Sequence, residues 1–129
     1  MIEKILKKSG NQLYFVFRVL VGLLFFLHGA QKFGLLGGDA VSAWSLFGAA
    51  GIIELVAGAM IVLGLLTQWV ALIAAVEMLV AYIMMHVPQG WNPLMNKGEL
   101  ALLYFAAFLV MAHCGAMKWG LDNQLFKKH

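Results

Sequence analysis

Apolar residues run with few interruptions from about Leu13 to Leu36, from Leu46 to Val87 and from Gly98 to Met117. A helix needs about 20 mostly apolar residues to cross the hydrocarbon of a bilayer. Read as one helix, the middle stretch would be about 60 Å long, twice that thickness, so it must turn. Gly64 to Gln68 supplies the turn, because glycine suits a helix end and Thr67 is placed to cap the next helix. The pattern therefore predicts four spans, at about 13–36, 46–65, 67–87 and 98–117, in a single integral membrane domain covering 1–129. Gly37-Gly38-Asp39 breaks the first connection, where Asp39 is placed to cap a short turn through Trp44. Pro88, Gln89, Gly90, Asn92, Pro93 and Asn96 make the third.

Composition agrees with that division and removes other classes. The chain is 63% hydrophobic and 12% charged, against about 45–50% and 25% in soluble domains. A water-soluble enzyme domain and a disordered tail are excluded. The single cysteine, Cys114, permits no intramolecular disulfide, Cys-x-x-Cys pair or zinc ribbon. Of the formal charge of +3, most lysines stand at the two tails, which suits anionic lipid and topology rather than nucleic acid. Met1 to Gly10 resembles the start of a signal peptide, but no small-residue cleavage site follows, so a retained first span is preferred.

The tryptophans and lysines orient the spans. Trp44 and Trp91 fall in the first and third connections, Trp69 and Trp119 at the other end, which gives two at each interface as an aromatic belt requires. Lys4, Lys7, Lys8, Lys118, Lys127 and Lys128 lie on the side of the termini, against Lys97 and, at its margin, Lys32 on the other. The reading is an all-α, up-down-up-down, four-transmembrane-helix bundle, multi-pass in the cell (cytoplasmic or inner) membrane, with both termini cytoplasmic.

The informative residues are those that lipid rejects. A charge at the bilayer centre costs at least about 2.5–3.5 kcal/mol, so each needs a partner, a wet cavity or a place near the interface. Arg18 and Lys32 are fourteen residues apart and share a helix face to within about 40°, with Gly22, Phe25 and Gly29 along it and His28 at its edge. Gly51, Glu54 and Gly58 share a face of the second span, and Glu99, Leu103, Ala106, Val110 and His113 one of the fourth. Each such face is expected to look inward. His28, Lys32 and Glu54 fall near the outer boundary, with Glu99 at the rim, so a Lys32–Glu54 or Lys32–Glu99 ion pair is allowed. His86 follows Glu77 by nine residues, about 180° on a straight helix, so both face inward only if the helix ends or kinks before His86. Glu77, near mid-membrane, is expected to be protonated, paired with a histidine or lysine, or bonded to a backbone carbonyl. At the cytoplasmic end an Arg18–Asp122 ion pair is predicted, with lipid phosphate competing for the arginine.

Several of these residues occur as an ordered set. Arg18, Gly22, His28-Gly29-Ala30-Gln31-Lys32-Phe33, Glu54 with Gly58, Gly64-Leu65-Leu66-Thr67, His86-Val87-Pro88, Gly98-Glu99 and Trp119-Gly120-Leu121-Asp122 together are similar to the DoxX family of small four-helix membrane proteins. Gln68, where a basic residue often follows the turn, and Gly120, where serine is usual, depart from it. The resemblance implies association with respiratory or quinone-linked redox systems, as an oxidoreductase or an oxidoreductase subunit. On that reading a polar pocket near the extracytoplasmic side uses His28, Lys32 and Glu54 as catalytic groups, with Glu77, His86 and Glu99 binding ligand. A quinone is the leading cofactor or ligand, ahead of a metal, for which no Glu-x-x-His pair is present, and ahead of haem, for which His28 and His113 differ in depth. Partners are the lipid bilayer and, by the same implication, other membrane redox subunits or a second copy. Two other readings stay open: a non-catalytic membrane anchor or assembly factor whose charges only set helix register, and a small-solute or proton carrier with Glu77 in its path.

Overall fold

The computed structural model describes residues 1–126, all helix, turn and loop. Lys127 and Lys128, counted above with the lysines on the side of the termini, and His129 lie outside the described residues. A short helix α1 (Ile2–Lys8) precedes α2 (Gly10–Lys32), α3 (Leu46–Leu63), α4 (Thr67–Ala81), α5 (Glu99–Cys114) and a last turn of helix, α6 (Leu121–Leu125). Met1 to Gly10 is thus mostly helical rather than an extended tail, broken from α2 only at Ser9.

Among the described residues three helices are long and apolar enough to cross a membrane: Gly10–Lys32, Leu46–Leu63 and Thr67–Gln89, the last being α4 with its continuation. The helix α5 is apolar but has 16 residues, about 24 Å at 1.5 Å per residue. Its end at Cys114 falls short of the expected 117, and α2 both starts earlier and stops earlier than the 13–36 reading.

The turn at Gly64 forms as expected, with a local difference. Gly64 takes φ 69°, the left-handed conformation that closes a helix. Thr67 does not cap α4: it is the first helical residue, and its hydroxyl finds no partner among the described residues. Asp122 supplies the cap from 55 residues away, accepting from the Thr67 N–H at 3.0 Å and from the Leu66 N–H at 2.6 Å. Nor does Asp39 cap the first connection. Ser45 does, accepting from the Gly48 N–H at 3.0 Å, and its own hydroxyl donates to the Ser42 carbonyl at 2.6 Å.

The helices pack as two close pairs, α2 with α3 and α4 with α5, while α3 and α4 share a smaller contact. Glycines let the first pair approach. A methyl group on Gly58 would sit 2.7 Å from the Gly22 carbonyl oxygen, and one on Gly29 2.7 Å from that of Gly51. In the second pair small residues of α4, Ala71, Ala74 and Ala75, receive bulky Tyr104, Phe108 and Met111 of α5 within one apolar core that also holds Phe25. Trp44, Trp69 and Trp91 are largely exposed, as an interfacial belt requires.

Candidate functional site

Close approach of Gly29 and Gly51 decides what stands one turn further along each helix. There Lys32 Nζ lies 3.0 Å from Oε1 and 2.8 Å from Oε2 of Glu54. The carboxylate is almost fully buried and the lysine about a quarter exposed, so this pair is screened far less than a surface one. The face carrying Arg18, Gly22, Phe25 and Gly29 is buried, as is that carrying Gly51, Glu54 and Gly58, both as the spacing predicts.

The fourth-span stripe is a correction. Glu99, Leu103, Ala106, Val110 and His113 are all exposed, and Tyr104, Phe108 and Met111 occupy the inward face instead. The reason is bulk. The ring of Phe108 meets Phe25 edge-on at 4.7 Å and that of Tyr104 lies 5.4 Å from it, burial that no polar residue at a helix end can match. Glu99 and His113 lie in the first and last turns of α5, within reach of the interface. Lys32 therefore pairs with Glu54 and not with Glu99.

A further correction concerns the other end of the bundle. Arg18 and Asp122 do not form an ion pair; each takes separate partners at one junction. The arginine is buried and donates to four carbonyls: Ile61 at 3.0 Å, Val62 at 3.3 Å, Ala116 at 2.7 Å and Trp119 at 2.6 Å. The Ile61 and Val62 carbonyls, in the last turn of α3, carry the negative end of the backbone dipole, and those of Ala116 and Trp119 come from the turn between α5 and α6; a guanidinium fork matches such a set. Asp122 meanwhile serves the positive end of α4, as described above, and its own N–H donates to the Gly64 carbonyl at 2.9 Å. Gly120 belongs here: a methyl group on it would come within 2.6 Å of the Ala116 side chain and 3.1 Å of Gly64.

Between α3 and α4 lies a cleft of about 650 Å³. Its polar lining brings together His28, Lys32, Glu54, Glu77 and His86, with Lys97 and Tyr104 added. Glu99 is outside it. The condition set for His86 is met: residues Tyr82–His86 form a π-helical turn, and one extra residue in a turn rotates the chain beyond it by about 100°. His86 Nδ1 donates to the Asn96 carbonyl at 3.0 Å, which fixes the ring. Asn96 is itself fully buried, giving its amide to the Gly90 carbonyl at 2.9 Å and to the Tyr82 hydroxyl at 3.2 Å, while accepting from the Gly98 N–H at 2.8 Å.

Glu77 has none of the partners anticipated for it. Both of its carboxyl oxygens are buried, and neither has a hydrogen-bond partner among the described residues. Tyr104 was not singled out by the sequence reading, although Tyr104 and Phe108 stand four residues apart as a helical pair does. Its ring holds His28 edge-on at 5.6 Å and fixes the histidine against the cleft wall. Chemically the site offers two lysine ammoniums, two imidazoles and a phenol beside two carboxyl groups, set in walls of mainly aliphatic side chains. No group of three or more metal-ligating side chains comes together among the described residues.

A second recess, of about 800 Å³ at the end bearing Gly64 and Gly115, is lined by Thr67, Gln68, Cys114 and Asp122 among others. It gathers no basic or histidine side chain from the described residues, and its one carboxylate is already engaged in capping α4.

A family model described as DoxX matches residues 13–87. An uncharacterized protein of Haemophilus influenzae is 40% identical over 119 residues, 86% of this chain and 89% of that protein. The Bacillus subtilis protein named "Putative oxidoreductase CatD" is 28% identical over 120 residues, 85% of this chain and 84% of its own. No solved structure matches.

Proposed function

This chain belongs to the DoxX family, and on that premise we propose that it is a membrane-embedded component of a quinone-linked redox system. The cleft between α3 and α4 is the site where the quinone head group is held. The observation that carries this reading is the Lys32–Glu54 pair, 2.8 Å apart, in one wall of an otherwise apolar cleft of about 650 Å³. The name of the Bacillus subtilis relative supports the redox class.

The residues fit such a ligand. A quinone supplies two-electron, two-proton redox chemistry when bound. Lys32 and His28 are the donors for a carbonyl oxygen, and Tyr104 keeps His28 in place. Glu54, a carboxylate held against the Lys32 ammonium, is the group that takes up and returns a proton at its carboxyl. Apolar walls exclude water and receive the ring and its substituents. Electrons come from a separate redox subunit in the same membrane. The bundle spans with α5 as its fourth helix and both termini in the cytoplasm, an orientation supported by the lysines at Lys4, Lys7, Lys8 and Lys118.

The test is purification from native membranes, followed by mass spectrometry of the extracted lipid and metal analysis. Quinone at near-stoichiometric amounts, lost on Lys32→Met or Glu54→Gln in protein that stays folded, supports the reading. If both variants lose expression or partner pull-down and the wild type carries no quinone, the chain is an anchor or assembly factor. One observation favours a second reading. The unpartnered Glu77 carboxyl suits a proton or small-solute carrier, which would appear as proton-coupled uptake into liposomes that Glu77→Gln abolishes.

A further inference from the structure

The cleft has a direction as well as a lining. On the α2–α5 side Phe25 and Tyr104, 0% and 8% exposed, close the cleft, and the side left open by the packing is that of α3 and α4, which share far less contact than the pairs on either side of them. The seam between these two helices is therefore where the cleft reaches the surface. On α4 the residues that border it are Ile73 and Val76, each 55% exposed, and Val80, 45% exposed. These are apolar positions in a helix long and apolar enough to cross a membrane, so what they face is hydrocarbon.

Depth separates a side opening from an aqueous dimple. The lining runs along α4 and its π turn from Ile73 to Met85, a rise of about 18 Å. That is more than half of the roughly 30 Å of hydrocarbon. Water standing in a recess of that depth would wet long aliphatic walls, at about 25 cal/mol for each Å². An apolar chain lying along the same walls carries no such cost. The polar groups, by contrast, lie deep: the Glu54 side chain is 4% exposed and both Glu77 oxygens are buried.

We infer that the cleft is a lateral portal, opening between α3 and α4 onto the hydrocarbon of the bilayer and taking in a lipid-soluble ligand from there, polar head inward and apolar chain in the seam. The inference rests on the reading of this cleft as the ligand site and adds the ligand's physical class and its route.

The experiment uses the full chain with Cys114→Ser, in phosphatidylethanolamine–phosphatidylglycerol vesicles, with a nitroxide on Ile53→Cys in one variant and on Ala81→Cys in another. Both positions line the cleft from opposite helices, so one misfolded variant leaves the other to decide. Power-saturation spectroscopy measures collisions with oxygen, which dissolves in hydrocarbon, and with a water-soluble nickel chelate. Oxygen access several-fold above nickel access is expected, and nickel access equal to or above oxygen access overturns the portal. Decylbenzoquinone is then expected to lower oxygen access at least twofold, and the tail-less parent quinone to leave it unchanged. If neither quinone has an effect while oxygen access stays high, the quinone reading falls and the portal stands. If nickel dominates while the tail-less quinone shields the label, the portal falls and the quinone reading stands.

Discussion

Gly29 of α2 lies directly on the backbone of Gly51 in α3: a methyl group added to Gly29 would meet both the Gly51 carbonyl oxygen and the Leu55 nitrogen at 2.7 Å. Neither neighbour is the end of a flexible side chain, so the two helices must part to admit it. The Gly29→Ala substitution is therefore expected to cost about 1–3 kcal/mol, the range for overpacking a well-packed core. Denaturation by dodecyl sulfate in mixed micelles measures it. Gly10→Ala is the control, because no atom of the described residues lies within 4 Å of a methyl group there. Equal stability of the two variants would disprove the close approach.

The same approach sets Lys32 beside Glu54, and single substitutions separate charge from packing. Lys32→Met leaves a buried carboxylate without its cation, and Glu54→Gln leaves the cation with a neutral amide. Each is expected to destabilise by about 3 kcal/mol, the low end for breaking a buried pair, because the lysine is 27% exposed. The double variant should recover much of this loss, since no charge is then left unpaired. A double-mutant cycle on unfolding free energies checks it; losses that simply add would show that the two groups are not coupled.

At the other end, the finding that Asp122 caps α4 rather than binding Arg18 has its own consequence. Asp122→Asn keeps an oxygen acceptor for one of the two N–H groups, whereas Asp122→Ala keeps none. The alanine variant is expected to lose about 1–2 kcal/mol, and the asparagine variant clearly less. An ion pair to Arg18 would make the two nearly equal. Arg18→Lys is expected to be the harsher change, because one ammonium cannot reproduce a planar fork donating to four carbonyls.

What could be read in advance follows from periodicity. Arg18, Gly22, Phe25, Gly29 and Lys32 recur on one helical face, and small residues beside a charge can only be buried against another helix, so this half of the site was legible. The helix α5 misled because it is apolar all round: with no polar face to mark the outside, its few ionisable residues drew attention, while the ring sizes of Tyr104 and Phe108 decided the packing. The Asp122 cap spans 55 residues and has no local signature. The π turn before His86 was legible only as a condition, since no proline or glycine lies within Tyr82–His86 to announce it.

Glu77 separates a site built for a ligand from a bundle that merely tolerates charge. Its carboxyl oxygens are buried and unpartnered among the described residues, whereas Glu54 holds a cation. An unpaired buried polar group lowers stability, so replacing it by a neutral group of the same shape relieves a burden instead of removing a bond. Glu77→Gln is accordingly expected to leave the unfolding free energy equal to or above that of the wild type, in contrast to Glu54→Gln. Retained ligand in the natively purified protein should fall all the same. If Glu77→Gln unfolds as readily as Glu54→Gln, the carboxyl is a structural link, because only a group engaged in holding the helices together loses stability when it is replaced.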